Sequence, residues 1–206
     1  MNLEKMTTVL EAHVPATAVN YCLGLWKRNP FDFSLRRSRV TKIGDFTFRR
    51  GQSPCITVNK DLHPYLFLIT YIHEVAHLEV HLNRNHREAH GSEWKKSFQK
   101  SIEPMMNDEI FPSDLLVELK RHMTDPMATT FSDPILSKLL RSYDYPSSTK
   151  TLLSDIPEGS IFEIRGRWFK KGLKRRTRVL CQEMKTNKKY LVPVDAPIAN
   201  SQLSLL

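Results

Sequence analysis

The stretch that decides the fold is residues 64–83, PYLFLITYIHEVAHLEVHLN. Its first half, Tyr65-Leu66-Phe67-Leu68-Ile69, is apolar nearly all round, the mark of a helix buried in the centre of a domain. Asp61 and Pro64 mark the start, since a proline in the first turn lacks an N–H that would be unbonded anyway. This apolar element then carries His73, Glu74 and His77 in the H-E-x-x-H spacing. Histidines four apart share one helix face, so both imidazoles reach a single ion at about 2.0–2.1 Å. Glu74, about 100° further round the helix, misses the ion itself. It reaches a water on that ion, whose pKa falls toward about 7, and takes its proton as general base. The plain alternative is a half-exposed helix face that happens to carry these three residues. Against it stands the cost of burying a charge without a partner, a role a metal fills. The expectation is one zinc ion per chain, with Glu74 catalytic.

A catalytic zinc takes three protein ligands and keeps one position open. The downstream candidates are His81, His86, Glu88, His90 and Glu93. His81 lies on the same helix, and a rise of about 12 Å from residue 73 keeps the three from sharing an ion. Val80 and Asn83 stand where a metzincin carries glycine and histidine, which excludes that arrangement. In His90-Gly91-Ser92-Glu93-Trp94, Gly91 permits a tight turn and Ser92 caps a helix beginning near Glu93. A histidine just before that cap points back at the preceding helix, so His90 is preferred over His86 and Glu93.

Outward from this centre, apolar residues recur at helical spacing over 3–12 and 16–28, and shorter helices are expected at 92–103, 113–122 and 133–143. Residues 31–59 alternate instead, through Phe31, Phe33, Leu35, Phe46, Phe48, Ile56 and Val58. That period predicts two or three short antiparallel strands with a turn over 50–54. The strand at 55–59 is expected to present an open edge to an extended substrate. The fold class is α+β: a metallopeptidase domain over 1–145, a polar linker over 146–156, and a small β-rich module over 157–206. In that module 161–164, 178–181 and 190–192 read as strands joined by basic turns, around a core of Phe162, Trp168, Phe169 and Tyr190.

The 206 residues are 40% hydrophobic and 26% charged, enough to bury a core. No apolar run approaches the length of a membrane span, so no membrane partner is expected. The first residues lack the layout of a secretory signal. Cys22, Cys55 and Cys181 are odd in number and far apart, with no C-x-x-C, so a disulfide framework is not expected and the cytoplasm is the default location. The net charge of +9 is local: residues 161–190 hold eleven Lys and Arg against Glu163 and Glu183, and the rest of the chain balances. Arg165, Arg167, Lys170, Lys171, Lys174, Arg175, Arg176 and Arg178, interleaved with Trp168, Phe169 and Tyr190, form a candidate DNA-binding set of phosphate partners and stacking rings. The other reading is a solvated basic surface whose aromatics are its own core.

Taken together, His73-Glu74-x-x-His77, a short loop and His90-Gly91-x-x-Trp94, preceded by Ile56-Thr57-Val58-Asn59 and Asp61-Leu62-His63-Pro64-Tyr65, resemble the SprT-like metallopeptidases, which include Spartan-type proteases of DNA–protein crosslinks. The resemblance spans roughly residues 15–125. It implies a compact zincin-type core, zinc on His73, His77 and His90, Glu74 as the catalytic carboxylate, and DNA-associated proteins as substrates. One departure stands out. Many of these proteins carry a cysteine zinc ribbon after the protease core, which Cys181 alone cannot build, and the basic module occupies its place. A non-catalytic, zinc-stabilised nucleic-acid-binding protein is the competing reading. A hydrolase of another bond type is the third, since an activated water does not dictate its substrate.

Overall fold

The apolar run does form a helix, α3 (Pro64–Leu82), and Leu66, Phe67, Leu68, Ile69, Tyr71 and Ile72 on it are buried. The coordinates are a computed structural model, which describes residues 1–39, 42–83, 88–129, 132–144, 151–164, 166–194, 196–199 and 201–202. The chain separates into two compact units, Met1–Asp144 and Tyr145–Leu206. The cap of α3 is His63 rather than Asp61: the His63 Nδ1 accepts from the Tyr65 amide at 3.4 Å, and Pro64 takes the first helical position. Each fully buried large side chain of this kind stabilises by about 1.5–3 kcal/mol. Among the described residues no helix is long and apolar enough to cross a membrane.

Around α3 pack α1 (Leu3–His13) through Met6 and Leu10, and α2 (Val19–Arg28) through Cys22 and Leu25. The Tyr71 hydroxyl fastens α3 to α2 by donating to the Cys22 carbonyl at 3.0 Å. On the other side lies α4 (Ser92–Ile102), with Trp94, Phe98 and Ile102 facing inward. Glu79 ties it to α3, its Oε2 accepting from Ser97 Oγ at 2.6 Å and Ser101 Oγ at 3.1 Å. Helices α5 (Ser113–Met123) and α6 (Pro134–Asp144) complete the unit. Asp133 heads α6: its Oδ1 accepts from the Leu136 amide at 3.2 Å, while its carboxylate receives Arg121 and His122 Nδ1. That buried cluster anchors the end of the 124–133 connection, whose middle walls the site described below.

Three strands form the sheet of this unit: β1 (Asp32–Arg36), β2 (Gly44–Thr47) and β3 (Cys55–Asn59), in the order β1-β3-β2. The antiparallel expectation holds for β2 against β3, but β1 runs parallel to β3. After β1 the chain passes to the far edge, forms β2 there, and returns through a tight turn. In that turn Gln52 N donates to Arg49 O at 3.0 Å, and Gly51 takes a φ of 81° that favours glycine. This places β3 in the middle, so the expected open edge at 55–59 is corrected: both its sides are paired, and the outer strands are β1 and β2, the latter lying against α3. Arg39 braces the sheet by donating to Asn59 Oδ1 at 2.8 Å and Thr57 Oγ1 at 3.1 Å.

The second unit is a five-stranded antiparallel sheet in the order β7-β6-β5-β4-β8. Its strands are β4 (Ile161–Ile164), β5 (Arg167–Arg175), β6 (Arg178–Glu183), β7 (Lys189–Pro193) and β8 (Ser201–Gln202). β5 replaces what the sequence suggests is a basic turn. Phe169 and Lys171 alternate inward while charged neighbours face out, and the buried lysine hides the period. The core is Phe162, Phe169, Val179, Cys181 and Ile198, joined by Leu153 and Ile156 from the stretch expected to be linker. Trp168 is not part of it, at 40% exposed. All three cysteines are free.

Candidate metal centre

The fold turns the three histidines toward one point. His73 and His77 project from the same face of α3, and His90 arrives from the turn before α4. The His77 Nε2 lies 3.2 Å from the His73 Nε2 and 3.1 Å from the His90 Nε2. The His90 ring centroid is 4.7 Å from that of His77 and 5.5 Å from that of His73. These three form the one group of metal-capable donors among the described residues. A tetrahedral ion bound at about 2.0–2.1 Å, as zinc is, sets its donors about 3.3 Å apart, so the spacing fits such an ion. Three facing ring nitrogens also cannot satisfy one another by hydrogen bonds alone, because a neutral imidazole carries only one N–H.

Their electrostatics agree. Burial lowers the His73 pKa to about 3, with His77, His90 and His122 adding to the effect. Burial and then His90 lower His77 to about 4. Burial lowers His90 as well. All three are therefore neutral at pH 7, the form whose lone pair binds metal.

Trp94 sets the ring orientations. It stacks on His77 at 5.4 Å and presents edges to His73 and His90, each at 4.7 Å. Its own Nε1–H is buried without a hydrogen-bond partner among the described residues, so its shape, not its polarity, is what the site uses. The helix cap expected at Ser92 shifts by one: Gly91 occupies the N-cap position without a side-chain bond, and Ser92 begins α4. Of the other ligand candidates, His81 lies one turn beyond His77 against Phe48, Glu88 lines the cleft, and Glu93 is exposed and paired with Lys96. His86 lies outside the described residues.

Glu74 is 6% exposed and stands between α3 and β2. Burial and then the charge of Asp45 push its carboxyl up to about 8, against the opposing pull of the Phe46 amide hydrogen bond, Arg39 and Lys42. A carboxyl held in that range is matched to proton transfer near neutrality. Sequence reading misses the residue that makes room for it. A Cβ on Gly44 would overlap Glu74 Oε1 and come within 2.6 Å of Thr70 Cγ2, so only glycine lets β2 approach so closely. The signal was present only as a glycine opening a strand.

The site lies in a cleft of about 660 Å³. One wall is Lys42 and Ile43 with the start of β2, Gly44 to Phe46; the other is formed by Glu88, Ala89, His90, Ala128 and Thr129. The ladder bond from Asn59 N to Ile43 O fixes which groups face the cleft. Pairs in an antiparallel ladder alternate, so Asp45 bonds to β3 while Gly44 and Phe46 turn their amides and carbonyls to the open edge.

Comparison with family models, curated proteins and solved structures gives no match.

The candidate nucleic-acid residues fall into three groups. Lys170, Lys174, Arg175, Arg176 and Arg178 are exposed, most of them around the β5–β6 hairpin. Arg167 is engaged: its Nε donates to Glu183 Oε1 at 2.6 Å, and its guanidinium lies over the Phe169 and Tyr190 rings at 5.3 and 4.9 Å. Lys171 leaves the set. It is 9% exposed, and its ammonium donates to the Leu153 carbonyl at 2.7 Å and to that of Ile156. Phe169 is buried too, which leaves Trp168 as the ring open to a base. Arg165 lies outside the described residues.

Proposed function

We propose that this chain is a zinc-dependent metallopeptidase of SprT-like type, with a zincin-type core, that cuts proteins bound to nucleic acid. The observation that carries the reading is the convergence of three neutral imidazoles beside one buried carboxylate, in a cleft rimmed by an open strand edge. His73, His77 and His90 would hold the zinc, which when bound would supply Lewis-acid polarisation of a scissile carbonyl and lower the pKa of the attacking water. Glu74 takes the proton from that water and returns it to the leaving amine. The edge-facing Gly44 amide and the carbonyls of Gly44 and Phe46 hold an extended peptide as an added strand, main-chain recognition that asks little of sequence, while the Phe46 amide is taken by Glu74. The basic hairpin brings the enzyme to nucleic acid and so to proteins on it.

The competing binding-protein reading needs a closed structural site, which has four protein ligands. Among the described residues three donors face an open cleft beside a carboxylate no structural site requires, which favours the enzyme. Elemental analysis of the purified chain is expected to give one zinc, lost or weakened in His90→Ala. Glu74→Gln is expected to keep zinc and fold while hydrolysis of an unstructured protein falls about a hundred- to ten-thousandfold. Equal hydrolysis by wild type and Glu74→Gln, or a purified chain without bound metal, overturns the reading.

A further inference from the structure

Beyond His77 the cleft changes character. One turn further along α3 come Val80 and His81, which line it together with Phe46. The His81 ring lies 5.7 Å from that of Phe46 and 4.2 Å from that of Phe48. Phe48, just past the end of β2, is 45% exposed. A phenylalanine held against a histidine at the mouth of a cleft, with nearly half its surface in water, is a large apolar surface without a cover. The opposite end, toward Thr70 and Lys42, is polar.

Strand geometry tells which part of a bound peptide meets this aromatic end. Side chains two apart on a strand share a face. Gly44 faces Thr70 and Glu74, and Phe46 faces His81, so both look toward α3. A residue directly opposite another in an antiparallel pair shares its face. In a peptide added antiparallel to β2, the residue opposite Gly44 sits at the level of Glu74. The residue opposite Phe46 comes two positions earlier in the peptide and turns its side chain to Phe46, Phe48, Val80 and His81.

We infer that this end of the cleft is a side-chain subsite for a large apolar or aromatic residue on the N-terminal side of the scissile bond, two positions before the residue that lies opposite Gly44. The inference rests on the hydrolase reading for the position of the bond, but not for the existence of the subsite. It adds a preference to recognition that is otherwise main-chain: the backbone ladder holds any extended peptide, and the aromatic end selects among registers.

The test uses the full zinc-loaded chain. Cut sites are mapped on reduced, alkylated casein, and two fluorogenic peptides identical but for Phe or Ala at the assigned position are compared. The Phe peptide is expected to have a kcat/KM at least about tenfold higher in wild type, with the ratio falling toward unity in Phe48→Ala. The mapped sites should show Phe, Tyr, Trp or Leu enriched on the N-terminal side of the cut. A wild type that cuts without such a preference, a preference on the C-terminal side, or a preference untouched by Phe48→Ala overturns the subsite. Should wild type cut nothing, anisotropy of the same two peptides on zinc-loaded Glu74→Gln decides separately. Tighter binding of the Phe peptide, lost on adding Phe48→Ala, keeps the subsite while the hydrolase reading falls. Equal binding removes both.

Discussion

At Gly44 a residue with no side chain packs against the carboxylate of Glu74. Gly44 packs where any Cβ would strike Glu74 Oε1 and Thr70 Cγ2. Gly44→Ala is therefore expected to push the carboxylate aside and lower kcat/KM about a hundredfold, the usual cost of a displacement of about 1 Å in a reacting group. Bound zinc, measured by elemental analysis, should stay at the wild-type level, because the atoms nearest an added Cβ belong to Glu74 and Thr70 and to none of the three histidines. Gly24 has nothing within 4 Å of an added Cβ, so Gly24→Ala serves as the control, and an equal fall in both variants would reject the steric account. The histidines and Glu74 were legible in the sequence because metal ligation imposes a spacing on a single helix. His90 was legible as a choice among neighbours, through the turn that precedes α4. Gly44 was not, since its role depends on how near a strand far away in sequence comes to α3, and no local pattern encodes that distance.

Elements were legible where one face is apolar and the other wet. The helices packed around α3 meet that condition, as does the alternation of 31–59, while α3 was legible from its apolar run. What escaped was the pairing: the parallel partnership of β1 and β3 follows from where the chain crosses the sheet, which short strands of similar composition do not reveal. β5 escaped for another reason. Its inward positions are Phe169 and Lys171, and a lysine whose ammonium is bonded to two carbonyls reads in sequence as one more surface charge. The same strand offers a test of its pairing with β6. Glu183 on β6 is nearly buried, and its carboxyl is held down to about 2, first by the Arg167 hydrogen bond from β5 and then by Thr186. A carboxyl with a depressed folded-state pKa stabilises the fold above its unfolded pKa of about 4.3, and loses that contribution as pH falls through the folded value. Denaturant unfolding of the full chain, followed at the Trp168 indole resonance, should show wild type more stable than Glu183→Gln at pH 6. The gap should narrow steadily between about pH 4.3 and pH 2. A gap that stays constant over that window would mean the ion pair does not hold β5 to β6.

At the scale of the molecule, the division into two units tracks the charge. Residues 161–190, inside the second unit, carry a +9 excess, while the unit that holds the three-histidine group has a large apolar core and nearly balanced charge, 19 Lys and Arg against 17 Asp and Glu. The second unit's own core is small, and its sheet places Lys174, Arg175, Arg176 and Arg178 together at one hairpin. A basic chain binds a polyanion to some degree wherever its charge lies, so the question is whether these side chains make the contacts or only contribute to the total. Salt separates the two. Each phosphate neutralised by a specific contact adds about 0.9 to the slope of log K against log salt on duplex DNA, and about 0.7 on a single strand. Replacing Lys174, Arg175 and Arg176 by Gln in the full chain should lower the duplex slope by about 3. Replacing Lys5, Lys27 and Lys120, three exposed lysines of the first unit, removes the same charge. That variant should leave the slope where it was and weaken binding only slightly. Trp168→Ala should cost little on duplex and more on a single strand, where an exposed ring can stack on an unpaired base. If both triple variants lower the slope equally, the hairpin is a solvated basic surface, and the proposed targeting to nucleic acid loses its basis in these residues.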